Sequence, residues 1–359
     1  MMVVGKPHLM KKCNSDIIYS MIRERGPISK PALATATKLS LPTVNRLVDE
    51  LVEQGMVREN GSQGTGAVGR RARMYVSNDD AGCVISFFHT GQGWLGGVCN
   101  LAGQFRKTQH FAITDRSRSG MLSQLQDAYS QLSGDCGEQV LGVGMGIPGV
   151  VHGGTVSSIP QIPCWEGVQL QQELQECFGV PVFIENDVKL LTAGYYAREC
   201  PKSCEDLLFL VVGHGLGSGM IINRKLYKGA GCFAGECGYM ILDGQRSGTG
   251  TPVLEQHLAE LARQVEAGDS AAQAAYLRII AQILTNFITV IDPQRIALQG
   301  VGIREETVAE IRRELEQYLP CALPPIIPVD DRELGLYGAY RLCVSNTTTH
   351  MRVVEQRGI

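Results

Sequence analysis

Twice within a short interval the chain places a serine two residues ahead of a proline, Ser29 with Pro31 and Ser40 with Pro42, each time at the head of a helical apolar pattern. A serine side chain accepts a hydrogen bond from a first-turn backbone N–H, and proline in that turn gives up no helical bond, so each pair marks a helix start. The segment "KLS" separates a short first helix from a longer second one. In the second, Val44, Leu47, Val48, Leu51 and Val52 recur at the spacing of one helical face and are expected to be buried. A third helix is expected upstream over Ser15 to Arg23, with Ile17, Ile18, Met21 and Ile22 inward and Gly26-Pro27 ending it.

Two short helices at this spacing fit a helix-turn-helix, in which the N-terminal part of the second helix enters the DNA major groove. Ser40, Thr43, Asn45 and Arg46 are then the candidate base or phosphate contacts. "MVRE" and "RMYVS" read as two strands around a glycine-rich wing, and "GRRAR" places Arg70, Arg71 and Arg73 on a small-residue tether suited to phosphate or minor-groove contact. Charge agrees with this division. Residues 1–76 hold 12 Lys+Arg against 6 Asp+Glu, a balance of +6, which leaves 21 against 30, or -9, for residues 77–359. A basic head on an acidic body suits a nucleic-acid module joined to a small-molecule domain.

Twelve cysteines raise the question of metal or disulfides, but no CxxC occurs, and the closest pairs are Cys200 with Cys204 and Cys232 with Cys237. Scattered cysteines with apolar neighbours read as small buried hydrophobes in a reducing compartment. With 44% hydrophobic and 19% charged residues, no long uninterrupted apolar run and no signal-peptide pattern, a cytoplasmic protein with no membrane association is expected.

Beyond Asn78, apolar runs such as "GCVISFF" and "VLGVGMGIPGVV" alternate with amphipathic stretches such as "MLSQLQDAYSQL", the mark of an α/β body. "DLLFLVVGHGLGSGMII" and "RIALQGVG" end apolar strands in glycines, where backbone N–H groups can approach a ligand closely.

From about residue 15 to 342 the chain resembles the ROK family of repressors and sugar kinases. The matches occur in order: the helix-turn-helix segment, "GRRAR", "GMGIPGVV", "SSIPQIPCWEGVQL", "PVFIENDVKLLTAGYYARE", "GHGLGSGMIINRKLYKGAGCFAGECGYMIL" and "IDPQRIALQGVGI". The resemblance implies an α/β protein, with an N-terminal winged helix-turn-helix over residues 1–76 including its linker. A two-lobed actin-like ROK domain of the sugar kinase/ribonuclease H-like kind follows over 77–359, with a ligand cleft between the lobes and assembly as a homodimer or dimer of dimers.

In kinases of the family, the aspartate at the position of Asp187 is the base toward a sugar hydroxyl, while Asn186 and Glu236 hold the ring. Asn186, Asp187, Glu236, Tyr239 and Glu255 are therefore the candidate ligand contacts. The parts that move phosphate are changed. Family kinases carry Asp-x-Gly-Gly-Thr at the first strand turn, where this chain has "FFHTGQGWLGG" with Phe88 near the expected aspartate, and His214 stands where a threonine is usual. The family's structural zinc site, a histidine and three cysteines, has Tyr239 for the histidine and no cysteine in "GYMILDGQRSGTGTPVLEQ".

With carboxylates for a ligand kept and phosphoryl-transfer parts lost, the expected protein is a non-enzymatic transcriptional regulator, a repressor, binding double-stranded operator DNA and a sugar or sugar-derivative effector. No catalytic residue, metal or cofactor is expected. The alternatives are a sugar kinase with an accessory DNA-binding head and a regulator whose body senses a partner protein.

Overall fold

In the computed structural model, which describes residues 7–63, 72–242, 252–331 and 333–354, the chain opens with α1 (Pro7–Arg25), β1 (Ile28–Ser29), α2 (Lys30–Thr37), α3 (Leu41–Glu53), β2 (Val57–Gln63) and β3 (Ala72–Ser77). Ser29 Oγ accepts from the Ala32 N–H at 3.3 Å and Ser40 Oγ from the Thr43 N–H at 3.4 Å, so both serine-proline pairs start helices. Val44, Leu47, Val48 and Leu51 are buried, while Val52 sits half in. Ser40→Ala removes this cap and is expected to lower stability by about 1 kcal/mol in urea denaturation.

Three details of the head differ from the sequence expectation. The first helix is longer, and its inward face is Ser15, Ile18, Tyr19 and Ile22, whereas Ile17 is exposed. Positions i, i+3, i+4 and i+7 share a face, and Ile17 lies off that stripe. Strand β2 runs on through Asn60 to Gln63, into the interval expected to be loop. The two-residue β1 pairs with β3, giving a sheet of order β1-β3-β2.

The first lobe comprises β4 (Cys83–His89), β5 (Gly93–Asn100), β6 (Phe105–Ala112), α4 (Arg118–Gly134), β7 (Val140–Ile147), the small hairpin β8 (Val150–His152) and β9 (Thr155–Ser158), α5 (Leu170–Phe178), β10 (Val182–Asn186) and α6 (Asp187–Glu199). The second comprises β11 (Leu207–Val212), β12 (Leu216–Ile222), β13 (Lys225–Tyr227), α7 (Val253–Glu266), α8 (Ser270–Ile291), β14 (Arg295–Gly300), α9 (Glu305–Tyr318) and β15 (Ile326–Pro328). Helix α10 (Leu334–Val354) then returns to the first lobe.

The lobes repeat one plan. In the first, the sheet order is β10-β7-β4-β5-β6, and in the second β13-β12-β11-β14-β15. Each has three antiparallel strands in chain order, then two parallel strands added beside the first of them. Parallel strands require crossover connections, and α4, α5, α8 and α9 lie in those connections.

Helix α8 qualifies the expectation about membranes, because it has the length and hydropathy of a spanning helix. Its apolar face, including Tyr276, Ile280, Ile283 and Leu284, is instead the core of the second lobe, while Arg278 faces outward.

Helix α10 joins the head to the body. Tyr340, Cys343 and Val344 share one apolar cluster with Ile18, Tyr19, Leu47 and Val48 of the head and with Val84 and Leu101 of the first lobe. Tyr340 Oη donates to the Leu101 carbonyl at 2.6 Å. The core thus runs without interruption across the position where the sequence divides into basic head and acidic body.

Candidate functional site

Strand β10 carries "FIEN" into the space between the lobes, and α6 begins there. Asn186 is the N-cap of that helix. Its Oδ1 accepts from the Lys189 N–H at 3.0 Å, and its Nδ2 donates to the Gly149 carbonyl at 3.2 Å. Its amide oxygen is therefore committed to the backbone, which leaves Asp187, in the first turn, to face the cleft. Glu185 points elsewhere, accepting from the Asn186 N–H at 2.9 Å and pairing with Lys228.

The cleft holds a cavity of about 440 Å³ with walls from both lobes. Asn186, Asp187, Glu236, Tyr239 and Glu255, all five expected ligand contacts, line it. Two close approaches hold the second-lobe residues in place. Gly235, at φ 97°, lies so near β12 that a Cβ there would be 2.0 Å from the Ser218 carbonyl oxygen, which fixes where Glu236 starts. A Cβ at Gly238 would be 3.0 Å from Glu255 Oε2, so α7 closes directly over this segment.

Phe233 and Tyr239 pack ring to ring at 5.4 Å, and Cys237 is buried in the second-lobe core. These contacts brace the segment where the family's zinc site would lie. Among the described residues no group of three or more His, Cys, Asp or Glu side chains could hold a metal ion.

Burial dominates the electrostatics. It raises Asp187 to about 7, with the adjacent Val188 N–H opposing and the negative charges of Glu236 and Glu255 adding to the rise. Burial also raises Glu236, where nearby Lys189 works the other way. Glu255 is raised by burial and by Glu236, against a hydrogen bond from the Leu216 N–H. Three carboxyl groups lining one cavity make a set of acceptors and, when protonated, donors.

Several residues around the site carried no clear sequence signal. Ser158, Gln161 and Gln256 add polar groups to the cavity wall. Lys189 is fully buried on α6 and reaches across to donate to the Cys232 carbonyl at 2.7 Å, tying the Glu236 segment to the first lobe. A lysine on an otherwise apolar helix face was the available hint.

Two expected nucleotide positions are occupied by packing or surface contacts. The Phe88 ring lies against Gly335 of α10 and Gly146 of β7, where added Cβ atoms would be 2.4 Å and 2.7 Å from it. His214 is exposed and hydrogen-bonds Glu266 at 3.2 Å.

On the head, Arg46 projects from α3 and pairs with Glu50 at 3.2 Å, Asn45 is half-buried, and the Ser40 and Thr43 hydroxyls bond each other at 2.8 Å. Arg73 pairs with Glu59 across the β2/β3 hairpin at 2.8 Å. Arg70 and Arg71 lie outside the described residues. The cleft and the outer face of α3 thus lie on different parts of the chain.

The description "ROK family" matches residues 92–253, and "Winged helix-turn-helix DNA-binding" matches residues 17–58. A xylose repressor of Caldicellulosiruptor bescii is 30% identical over 250 residues, 67% of this chain and 62% of that protein. The chain belongs to the ROK family. The DNA-binding transcriptional dual regulator NagC of Escherichia coli is 25% identical over 66% of this ROK chain and 59% of its own length. The chain therefore spans about three-fifths of the length of these curated relatives.

Among solved structures, a ROK family transcriptional regulator described as a homolog of the Escherichia coli MLC protein superposes with TM-score 0.78 at 18% identity, covering 96% of this chain and 99% of that one. A ROK family glucokinase from Streptomyces griseus, in complex with glucose and AMPPNP, superposes with TM-score 0.61 at 22% identity over 73% of this chain and 99% of its own. The fold of this ROK chain is common to regulators and kinases, and the two differ here in the head, which the alignment with the regulator includes.

Proposed function

We propose that this ROK chain is a cytoplasmic transcriptional repressor, a homodimer or dimer of dimers, that binds operator DNA through residues 1–76 and a sugar or sugar derivative between the two lobes of residues 77–359, without transferring phosphate. The observation that carries this reading is the path between the two sites. Asp187 starts α6, and α6 crosses α10 so closely that a Cβ at Gly338 would be 2.1 Å from the Leu190 carbonyl oxygen. The far part of α10 lies in the core of the DNA-binding head. A ligand that draws Asp187 toward Glu236 and Glu255 shifts α6, and α10 carries that shift to the heads. Paired heads on half-sites about one helical turn apart lose register with a modest rotation.

The absence of kinase activity follows from Phe88. Phosphoryl transfer depends on charge neutralisation and positioning, and an aromatic ring packed on Gly335 and Gly146 supplies neither a metal-placing carboxylate nor room for a glycine turn. Names carried by relatives and neighbours, among them an N-acetylglucosamine repressor of Escherichia coli, supply a first panel of effectors: xylose, glucose and N-acetylglucosamine. A ligand at 100 times its Kd stabilises by roughly 2.7 kcal/mol, which a thermal-shift screen reads directly.

Arg46→Ala tests the head. If Arg46 reads a guanine edge, operator affinity falls by about 1–3 kcal/mol and the loss is concentrated at one base position in a binding-site selection assay. A uniform loss across all sequences would make Arg46 a phosphate contact, and an unchanged affinity would remove α3 from the interface. ATP turnover on the sugar panel at roughly 1 per second or faster would replace the regulator reading with a kinase.

A further inference from the structure

We propose that Cys83 and Cys136 are a redox modification site, forming a reversible disulfide with low-molecular-weight disulfides as the oxidant. The two sulfurs lie 2.7 Å apart, inside the contact distance of unbonded sulfur atoms and longer than a covalent bond of about 2.05 Å. They are 53 residues apart in sequence, so the local chain does not bring them together; the fold does. Both backbones are fixed. Cys83 opens β4 with its N–H on the Gln139 carbonyl at 2.9 Å, and Cys136 follows α4 with its N–H on the Ser133 carbonyl at 3.1 Å.

Position gives the pair its interest. The residue after Cys83, Val84, belongs to the core shared with the head, whereas Cys136 lies at the outer end of α4. A bond between them ties the strand that enters the first lobe from the head to the far end of a helix. Cys83 is wholly buried and Cys136 is partly exposed, so Cys136 is where an oxidant enters. Cys200 and Cys204 also hydrogen-bond through their thiols, and Cys204 Sγ approaches the Asp206 carbonyl oxygen at 3.7 Å much as Cys136 Sγ approaches the Leu132 carbonyl oxygen at 3.6 Å, so that pair serves as an internal comparison.

The chemistry balances as two exchanges. The Cys136 thiolate attacks one sulfur of the small disulfide, whose S–S bond breaks as a mixed disulfide forms and one small thiolate leaves. The Cys83 thiolate then attacks Cys136 Sγ, forming the protein disulfide and expelling the second small thiolate. The two protons lost by the cysteines end on the two small thiols, and the small disulfide has taken up two electrons. Burial holds both protein thiols above the ordinary cysteine range, which lowers the thiolate fraction and slows both exchanges.

The test uses the full chain, reduced, then incubated with glutathione disulfide over a range of ratios to glutathione. After acid quenching, alkylation with N-ethylmaleimide in denaturant and non-reducing peptide mapping, a Cys83–Cys136 cross-linked peptide is expected ahead of any other. Two of the twelve thiols become unreactive, dithiothreitol restores both, and the oxidised protein melts at a higher temperature than the reduced one. Cys136→Ser, at the less buried position, should abolish both the cross-link and the rise in melting temperature. The proposal is overturned if Cys83 and Cys136 both carry maleimide at every ratio while exposed Cys13 or Cys321 carries glutathione. It is also overturned if Cys200–Cys204 is the linkage that forms first.

Discussion

Gly338→Ala is expected to destabilise the protein by about 3 kcal/mol or more, a large share of the roughly 5–15 kcal/mol that keeps a domain folded. Replacing a helical glycine with alanine normally stabilises by about 1 kcal/mol, so the local effect has the opposite sign. What opposes it is backbone. The new Cβ would lie 2.1 Å from the Leu190 carbonyl oxygen and 3.0 Å from its Cα, and a carbonyl inside a helix cannot turn aside. Helices α6 and α10 would have to separate.

They are held against separation elsewhere. Gly194 of α6 meets the Leu334 carbonyl, and Gly144 of β7 comes so close to α10 that a Cβ there would be 1.9 Å from the Ala339 carbonyl oxygen. Gly134, at the end of α4, has no heavy atom within 4 Å of an added Cβ and provides the control; Gly134→Ala should be neutral or slightly stabilising. Urea denaturation of the two variants separates helix propensity from the crossing.

Asp187→Ala is expected to weaken effector binding tenfold to a hundredfold, about 1.5–3 kcal/mol for charge-assisted bonds to ligand hydroxyls. Because the cap of α6 is Asn186, this substitution leaves that cap intact and removes a first-turn carboxyl together with the bond it accepts from the Val188 N–H at 2.8 Å. Asp187→Asn keeps the shape and one acceptor and should lose less. Both variants should still bind DNA, but the effector should no longer release it at its usual concentration.

The same residue sets a pH signature. Its folded pKa, about 7, lies above the ordinary 3.8, so the stability it contributes is present at low pH and is lost as pH rises from about 4 through 7. In the effector-free protein the melting temperature should therefore fall over that window, and Asp187→Asn should flatten the fall. Effector affinity should move the other way, rising as the carboxyl ionises and becomes a pure acceptor for hydroxyl protons.

The helix starts at Ser29 and Ser40 were legible because a cap is a local bond between neighbours in sequence. The alternation of strands and helices was legible for the same reason, and "FIEND" marked the turn from β10 into α6. What the sequence hid was tertiary. "LGLYGAY" looks like a helix weakened by glycines, and nothing in it says that Gly338 lies on Leu190, 148 positions earlier (338 − 190). Nor does "DVKLL" show that Lys189 crosses to Cys232, or that the Asn186 amide oxygen is taken by the helix while Asp187 is left for the cleft. The face of α1 was misassigned at Ile17 because four apolar residues in six positions fit more than one stripe, and the choice depended on what α3 and α10 presented to it.

The most direct test is fluorescence anisotropy of the full-length chain with DNA from upstream of its own coding region, titrated in the presence of excess unrelated DNA. Saturable binding with Kd between about 10⁻⁸ and 10⁻¹¹ M, at least about 10³ tighter than for unrelated sequence, is the predicted result. Equal, weak affinity for every DNA tested, or none at low salt, would contradict the assignment of this ROK chain as a transcriptional regulator.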